Sequence, residues 1–276
     1  MGISFQTVLQ SVAGSLVFAA LVGLYKKYFD AGRFLSPQRV LKILRGRTVR
    51  FSSSTLLRIA VDGGYVLILT PERSGPAHYG PVGGVLKYSQ DIESKKFGKW
   101  NVRNDREFQT ENDDMNRDLR VRMPRGSFFR FASWYRHKSS RETPHEAMKR
   151  EIKEEVPGLS INGRSSGEQA VSLHFENVHR SHKTFKDRHG EVGLVHVREF
   201  QVLSIERDEL GAAFENEMIR AARAGEHNLR IVRPEQIDAG TVDGVRIGAH
   251  AIALYRVNLN NTREDEPIRK VSGGPQ

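Results

Sequence analysis

The chain has 276 residues, a formal net charge of +10 at pH 7 and no cysteine. That length is enough for one medium-sized domain with a substantial hydrophobic core, plus additional segments. The lack of cysteine excludes disulfide frameworks and thiolate metal sites. The basic balance favours acidic ligands such as nucleotides, nucleic acid or anionic lipid.

The amino-terminal segment carries no charged side chain from residue 3 to residue 25, a run long enough to cross a bilayer as a helix. Basic residues follow this run at Lys26, Lys27 and Arg33, whereas a cleaved signal peptide would carry them before it. We therefore expect residues 1–33 to form a single-pass anchor in the inner, cytoplasmic membrane. The positive-inside rule then predicts that the domain after the anchor lies in the cytoplasm.

A packed or interfacial helix is the alternative, because three polar residues dilute the first half of the run: Gln6, Gln10 and Ser11. Small residues between Gly14 and Gly23 favour association of such helices, so the membrane segment predicts a homo-oligomer. Residues 34–54 are predicted to be a basic juxtamembrane linker. Its basic side is expected either near lipid headgroups or in solvent.

The globular part is predicted over residues 55–259. Two apolar runs, 56–61 and 65–70, flank Asp62-Gly63-Gly64, which indicates a β-hairpin. A Gly-rich strand end follows at residues 79–86, and residues 87–139 form an insertion.

The end of the insertion carries two structured patterns. Apolar residues alternate at Leu119, Val121 and Met123, which predicts a strand whose other face presents Arg120 and Arg122 to phosphate. The aromatic run at residues 128–135 is typical of a buried core. The alternative is a platform on which a nucleotide base stacks, with Trp134 as the contact.

After residue 158 we expect strands at 170–175 and 191–203, joined by a solvated basic loop, with phosphate binding as the alternative for that loop. The sequence further predicts a helix over 207–224 ended by Gly225, a strand at 229–232 and a final apolar element at 247–257. The polar residues 260–276 are predicted to be a flexible tail.

The segment from Glu142 to Gly158 predicts a helix, with Thr143 as its cap and Pro144 in its first turn. On this helix Glu151, Glu154 and Glu155 stand at i, i+3 and i+4, so their carboxylates share one face. Like charges so close raise each other's pKa, and Mg²⁺ or Mn²⁺ would relieve the repulsion. A solvated helix rich in charged residues is the alternative.

These residues resemble the Nudix box, G-x5-E-x7-R-E-U-x-E-E-x-G-U with U apolar. The match covers six positions: Glu142, Arg150, Glu151, Ile152, Glu154 and Glu155. Pro157 occupies the second glycine position and Arg136 the first. Gly84, before the insertion, is predicted to be the displaced first glycine.

The resemblance implies an α/β fold, namely a Nudix-like α/β/α sandwich with a mixed sheet, preceded here by one transmembrane helix. It implies that Glu151, Glu154 and Glu155 bind Mg (or Mn), with Arg150 orienting Glu151 and Glu142 supporting the site. The implied activity is hydrolysis of a nucleoside diphosphate-linked or related nucleotide. Glu176 and Glu191 are candidates for the general base.

Within that superfamily the chain is most similar to the SMODS-associated Nudix domains, on its anchor, Gly-Gly strand, insertion and aromatic run. Those bacterial proteins are linked to cyclic-oligonucleotide antiphage signalling. The resemblance thus implies a nucleotide or cyclic oligonucleotide ligand and a nucleotide-signal synthase as functional partner. The alternative function is a non-catalytic nucleotide sensor that signals through its membrane helix.

Overall fold

The computed structural model describes residue 43 and residues 45–71, 76–105, 117–137, 140–161, 164–165, 171–186 and 192–256. The predicted anchor, residues 34–42 and 44 of the linker, and the predicted tail therefore lie outside the described residues. None of the helices within these ranges is long and apolar enough to cross a bilayer. The membrane anchor stays a prediction.

The strands, numbered in chain order, are β1 (Thr48–Leu57), β2 (Ala60–Val61), β3 (Gly64–Thr70), β4 (His78–Gly80), β5 (Arg103–Asn104), β6 (Arg120–Pro124), β7 (Ser160–Ile161), β8 (Arg164–Ser165), β9 (Leu173–Lys186), β10 (Val192–Ile205), β11 (Leu229–Val232), β12 (Thr241–Val242) and β13 (Val245–Ile247).

The α-helices are α1 (Gln90–Ile92), α2 (Gly98–Trp100), α3 (Arg125–Arg136), α4 (Pro144–Glu155), α5 (Glu209–Ala224) and α6 (Pro234–Ala239). A π-helical turn, Glu93–Phe97, joins α1 to α2, and short 3₁₀ helices lie at Glu226–Asn228 and Ala249–Leu254.

Among the described residues these strands build two mixed sheets and a separate β7–β8 ribbon. Sheet A has the order β5-β6-β1-β10-β9, and its central pair, β1 and β10, is parallel. Sheet B has the order β11-β3-β4-β13-β12, with β2 added beside β3. The expectation of a mixed α/β fold is confirmed, but there are two mixed sheets where one was expected. The chain leaves sheet A at the end of β1, and the β2–β3 hairpin then starts sheet B.

One face of sheet A is closed by α3 and its aromatic side chains. The Phe51 ring of β1 lies 5.0 Å from the ring of Phe131 and 4.9 Å from that of Tyr135, in edge-on contact. Burying each such ring stabilises the fold by roughly 1.5–3 kcal/mol. The aromatic run is therefore core, the first of the two alternatives that the sequence leaves open.

Helix α4 contributes to two of the three hydrophobic clusters of the described residues. Ala147 belongs to the aromatic core of sheet A, whereas Met148 and Ile152 pack with Leu57 and Phe214 in a second core. Both contacts use the apolar side of the helix, so the orientation of α4 is fixed by burial. Its charged side is directed to the Gly-rich segment that follows β4 (Gly83–Gly84), as described below.

Several predicted elements are confirmed. The hairpin forms between β2 and β3, and β6 buries Val121 and Met123 while its arginines take the other face. Helix α5 begins with Asp208 as its cap and ends at Gly225, which has a φ of 69°. Glycine adopts this left-handed conformation without the steric cost that other residues carry.

The prediction of a basic loop after residue 175 is wrong. His179, Arg180 and Lys183 lie on β9, which pairs with β10 in a long antiparallel hairpin. The sequence hides this strand because His179 and Ser181 take inward positions that apolar residues usually fill. Arg180 is also ordered, since its Nε donates to Glu199 Oε2 at 2.7 Å.

Candidate functional site

Helix α4 begins after Thr143, the cap that the sequence predicts, and the structure adds Glu146, which completes a capping box. The backbone N–H of Glu146 donates to Thr143 Oγ1 at 3.2 Å, and the backbone N–H of Thr143 donates to Glu146 Oε2 at 2.7 Å. Such a cap stabilises a helix by about 1 kcal/mol. Val156 caps the other end, immediately before Pro157. Local sequence alone therefore fixes the segment that carries the carboxylates.

Arg150 is the centre of the site's hydrogen bonds. Its Nε donates to Glu142 Oε1 at 2.9 Å and its Nη2 to Glu142 Oε2 at 3.0 Å, a bidentate pair. Nη1 donates to Glu151 Oε1 at 2.5 Å, and Nη2 also donates to the carbonyl of Val85 at 3.0 Å. The planar guanidinium thus holds two carboxylates and the Gly-rich segment in one arrangement.

Gly83 and Gly84 let the backbone approach the carboxylates of α4. The Gly83 N–H donates to Glu155 Oε2 at 2.9 Å. A Cβ at Gly84 would lie 2.7 Å from Glu151 Oε2 and closer still to Oε1, so only glycine leaves room for this carboxylate. Gly84 is also paired with β1, since its carbonyl accepts from the Thr55 N–H at 2.8 Å. Although residues 87–139 separate Gly84 from the box in the sequence, Gly84 lies against the Glu151 carboxylate in the structure.

Burial and mutual repulsion act together on the carboxylates. Burial raises the pKa of Glu155 to about 8, with the charges of Glu151 and Glu154 adding to the shift and the Gly83 hydrogen bond opposing it. The pKa of Glu151 is also raised, mainly by burial and against the effect of Arg150. Glu154 is the most open of the three, with a side chain that is 53% exposed. A nearby dication would favour the charged form of all three.

Asp118 is a further acid at this site, and the sequence analysis does not single it out. It forms a β-bridge with Lys87, and burial raises its pKa to about 6 against the charges of Arg120, Lys87 and Arg150. Its negative charge also contributes to the raised pKa of Glu151. Asp118 precedes β6 by two positions. The alternating pattern of that strand gives no sign that the acid faces the box.

The donor chemistry of the site fits a hard divalent cation, because every acidic ligand is a carboxylate oxygen. The placement is less complete: across the described parts of the chain, no three His, Asp or Glu side chains are gathered closely enough to hold a metal ion as they stand. Glu151 instead accepts a hydrogen bond from Arg150, and Glu155 accepts one from the Gly83 N–H. Cation binding would therefore require the side chains of Glu154 and Glu155 to turn toward Glu151.

The structure separates the other predicted contact residues. Trp134 is 5% exposed and packs edge-on against Phe97, with ring centroids 5.1 Å apart, so it contributes to the core. Arg122 Nε lies 2.8 Å from Asp105 Oδ1. Arg120 lies nearest the box, with its Nε 3.9 Å from Asp118 Oδ2. A role of these three residues in ligand binding stays a prediction.

The two candidates for the general base also differ in position. Glu176 lies at the surface on β9, where its Oε2 accepts from Arg58 Nη1 at 2.9 Å. Glu191 lies outside the described residues. In contrast to Glu176, Asp118 lies close enough to the box for its charge to act on Glu151.

Comparison with known families gives a match to the whole globular part. A family model for the SMODS-associated NUDIX domain matches residues 48–255. The match covers most of the chain, and the chain belongs to this family, which confirms the resemblance seen in the sequence. A search of curated proteins finds no match to the chain.

Proposed function

We propose that this SMODS-associated NUDIX protein is a Mg-dependent (or Mn-dependent) hydrolase of a nucleoside diphosphate-linked or related nucleotide. The observation that carries the proposal is the Arg150 arrangement, which orients Glu142 and Glu151 against the backbone of residues 83–85. An ordinary solvated helix face has no use for a glycine that makes room for a carboxylate. Membership in a family associated with nucleotide signalling supports the same ligand class.

Glu151, Glu154 and Glu155 are the residues that would hold the cation. When bound, it supplies charge neutralisation of the phosphates and activation of water. The chain's own groups do the positioning: Arg150 fixes the orientation of Glu151, and the Gly83 N–H fixes that of Glu155. The pKa of Asp118, about 6, suits proton acceptance near neutral pH.

The test is Mg²⁺-dependent turnover of a nucleotide panel by the purified chain. We expect Glu151→Gln to lower turnover by several orders of magnitude and to weaken nucleotide binding much less. Glu209→Gln, the same change at an exposed position on α5, is the matched control and should leave turnover unchanged. A Glu151→Gln protein with normal turnover would refute the hydrolase.

The alternative is a non-catalytic effector that senses a nucleotide or cyclic oligonucleotide made by a partner synthase. The present placement of the carboxylates favours it, since Glu151 and Glu155 are engaged by Arg150 and Gly83. In a sensor, Glu151→Gln should preserve antiphage protection while ligand binding persists. A hydrolase whose product matters should lose protection together with turnover.

We further propose that the domain is tethered to the inner membrane by residues 1–33 and faces the cytoplasm. The uncharged run from residue 3 to residue 25 and the basic residues after it support this placement. Full-length protein should sediment with membranes and be released by deletion of residues 1–33. Recovery of the full-length protein in the soluble fraction without detergent would contradict the anchor.

A further inference from the structure

Sheet A has a second face, opposite the α3 core, on which basic side chains are aligned in two rows. Strand pairing places Arg50 between its partners on β6 and β10, and Ser52 between its own. Directly paired residues of neighbouring strands lie on the same face of a sheet. The rows are Arg122-Arg50-His196 and Arg120-Ser52-Arg198, which together we call the arginine face.

The aromatic core fixes which side chains form the arginine face. Val49, Phe51, Val121 and Val197 alternate with the basic residues and are fully or almost fully buried on the α3 side. A shift of one residue in any of these strands would send arginines into the core. The alignment of the arginines is therefore as well determined as the core itself.

The guanidinium groups on this face are held partly out of water. The side chain of Arg50 is 11% exposed, that of Arg120 29% and that of Arg122 36%. Asp105, whose side chain is fully buried, forms ion pairs with both Arg50 and Arg122. Charged groups at such depth cost free energy unless other groups compensate them, and Asp105 provides that compensation for Arg50 and Arg122.

Two histidines lie near the arginines of this face, His196 buried and His250 half-buried. Burial lowers the pKa of His196 to about 3, and Arg50, Arg198 and Arg122 lower it further. His250 lies in the 3₁₀ helix that packs against β10. Burial lowers its pKa to about 4, with His78, Arg198 and Arg120 adding to the effect. Arg198 acts on both rings, and both stay neutral at physiological pH.

The arginine face adjoins the carboxylate site through Arg120 and Asp118. Arg120 lies 3.9 Å from Asp118, and the charge of Asp118 in turn acts on Glu151. Neighbouring strands lie about 4.8 Å apart and alternate residues of a strand about 7 Å apart. The arginines therefore spread over about 10 Å, which is wider than bidentate contact with a single phosphate requires.

We propose that the arginine face binds a phosphate group of the ligand that lies beyond the group processed at the carboxylate site. The ligand is then a small nucleotide with separated phosphates, such as a short oligonucleotide, rather than a nucleoside diphosphate alone. This inference rests on the proposed function, which places the first phosphates at the carboxylates. The position of the further phosphate group is inferred from strand register and charge.

The experiment measures binding without turnover. The full chain in non-ionic detergent, with Ca²⁺ replacing Mg²⁺, is titrated calorimetrically with 5′-phosphorylated linear diadenylate and, separately, with ADP, and chromatography checks that neither ligand is hydrolysed. We expect Arg198→Gln to weaken diadenylate binding about tenfold, the value of one charge-assisted contact, and to change ADP binding much less. The slope of log Kd against log salt should fall by about 0.7. Arg198→Lys should lose less affinity, because it keeps the charge.

Arg223→Gln removes the same charge from α5, where the side chain is 57% exposed, and should leave both affinities unchanged. If thermal melting shows that Arg198→Gln is unfolded, Arg120→Gln replaces it, because Arg120 lies on the same face and its side chain is 29% exposed. Equal losses for ADP and diadenylate, no loss in either variant, or tighter binding of long single-stranded RNA than of diadenylate would overturn the proposal.

The two proposals can fail separately. Loss of diadenylate affinity in Arg198→Gln, in a chain that hydrolyses no nucleotide with Mg²⁺, would leave the arginine face standing and reject the hydrolase. Normal Mg²⁺-dependent turnover together with unchanged diadenylate affinity in Arg198→Gln would reject the arginine face alone.

Discussion

Gly84→Ala is the most direct test of how the site is built. The added methyl group would overlap the Glu151 carboxylate, because a Cβ at this position lies 2.7 Å from Oε2 and nearer still to Oε1. Gly84 is not among the described glycines with positive φ, so the backbone can accept alanine. The substitution therefore perturbs one contact and leaves the chain's conformation allowed.

The expected cost follows from what Glu151 loses. Moving its carboxylate breaks the 2.5 Å hydrogen bond from Arg150 Nη1, and a charge-assisted hydrogen bond contributes about 1.5–3 kcal/mol. Replacing glycine by alanine returns about 0.4–1 kcal/mol by restricting the unfolded chain. The net loss in the free energy of unfolding is thus about 0.5–2.5 kcal/mol, which lowers Tm by roughly 1–10 °C for a domain of this size.

Thermal unfolding and Mg²⁺ titration of the two proteins provide the assay. In a hydrolase, a displacement of about 1 Å at the reacting centre should lower turnover about a hundredfold. Gly126→Ala is the matched control, since a Cβ there would meet nothing within 4 Å. If Gly84→Ala shows the stability and Mg²⁺ affinity of the unmodified chain, the close approach of Gly84 to Glu151 is refuted.

Two further predictions concern the same group of residues. Arg150→Lys should lower the free energy of unfolding by about 2–3 kcal/mol, because an ammonium cannot hold Glu142 bidentately and also reach Glu151; denaturation equal to that of Lys153→Arg would contradict this. In EDTA, stability should fall as pH rises from about 4.5 to 8, because the raised pKa values of Glu155 (about 8) and Asp118 (about 6) mean that the folded chain holds protons that the unfolded chain releases. Glu155→Gln should remove the fall above pH 6, and an unchanged slope in urea titrations at pH 6–8 would show that Glu155 is not buried as described.

The box helix was predictable because the residues that determine its start and its end lie within or next to it in the sequence. The capping box, Pro144 and the stop at Pro157 all stand within the helix and its ends, and the observed element runs from Pro144 to Glu155. The β2–β3 hairpin and the arginine strand β6 were predictable for the same reason. The short-range sequence pattern is enough to identify such elements.

The basic strand β9 and the acids Asp105 and Asp118 could not be predicted, because their reasons lie in distant partners. His179 and Ser181 are buried on a strand whose pairing is set by β10. Asp105 is buried because arginines of β1 and β6 meet over it. A single sequence shows such residues only as isolated charges.

Contacts between Lys87 and Glu142, at the two ends of the insertion, explain how Gly84 reaches the site although it lies far from the box in the sequence. The Glu142 N–H donates to the Lys87 carbonyl at 2.9 Å, and the Lys87 N–H donates to Glu142 Oε2 at 2.8 Å. Arg150 then ties Glu142 to Val85. These contacts hold the two ends of the insertion together, and loop-closure entropy grows only slowly with loop length. An insertion at this point of the chain is therefore compatible with the close approach of Gly84 to Glu151.

The same insertion supplies β6 and α3, and with them one side of the arginine face and the core beneath it. The carboxylate site is built mainly from the box helix and the glycine segment, whereas the arginine face combines inserted sequence on β6 with the strands β1 and β10. The two parts meet at several places: Lys87 contacts Glu142, the Leu119 N–H donates to the Leu86 carbonyl at 2.7 Å, and Ala147 of α4 packs in the aromatic core. Under the two proposals above, the cation depends on α4, whereas recognition of the second phosphate depends on β1, β6 and β10. Substitution of Arg120 or Arg198 should therefore alter ligand choice more than it alters the carboxylate geometry.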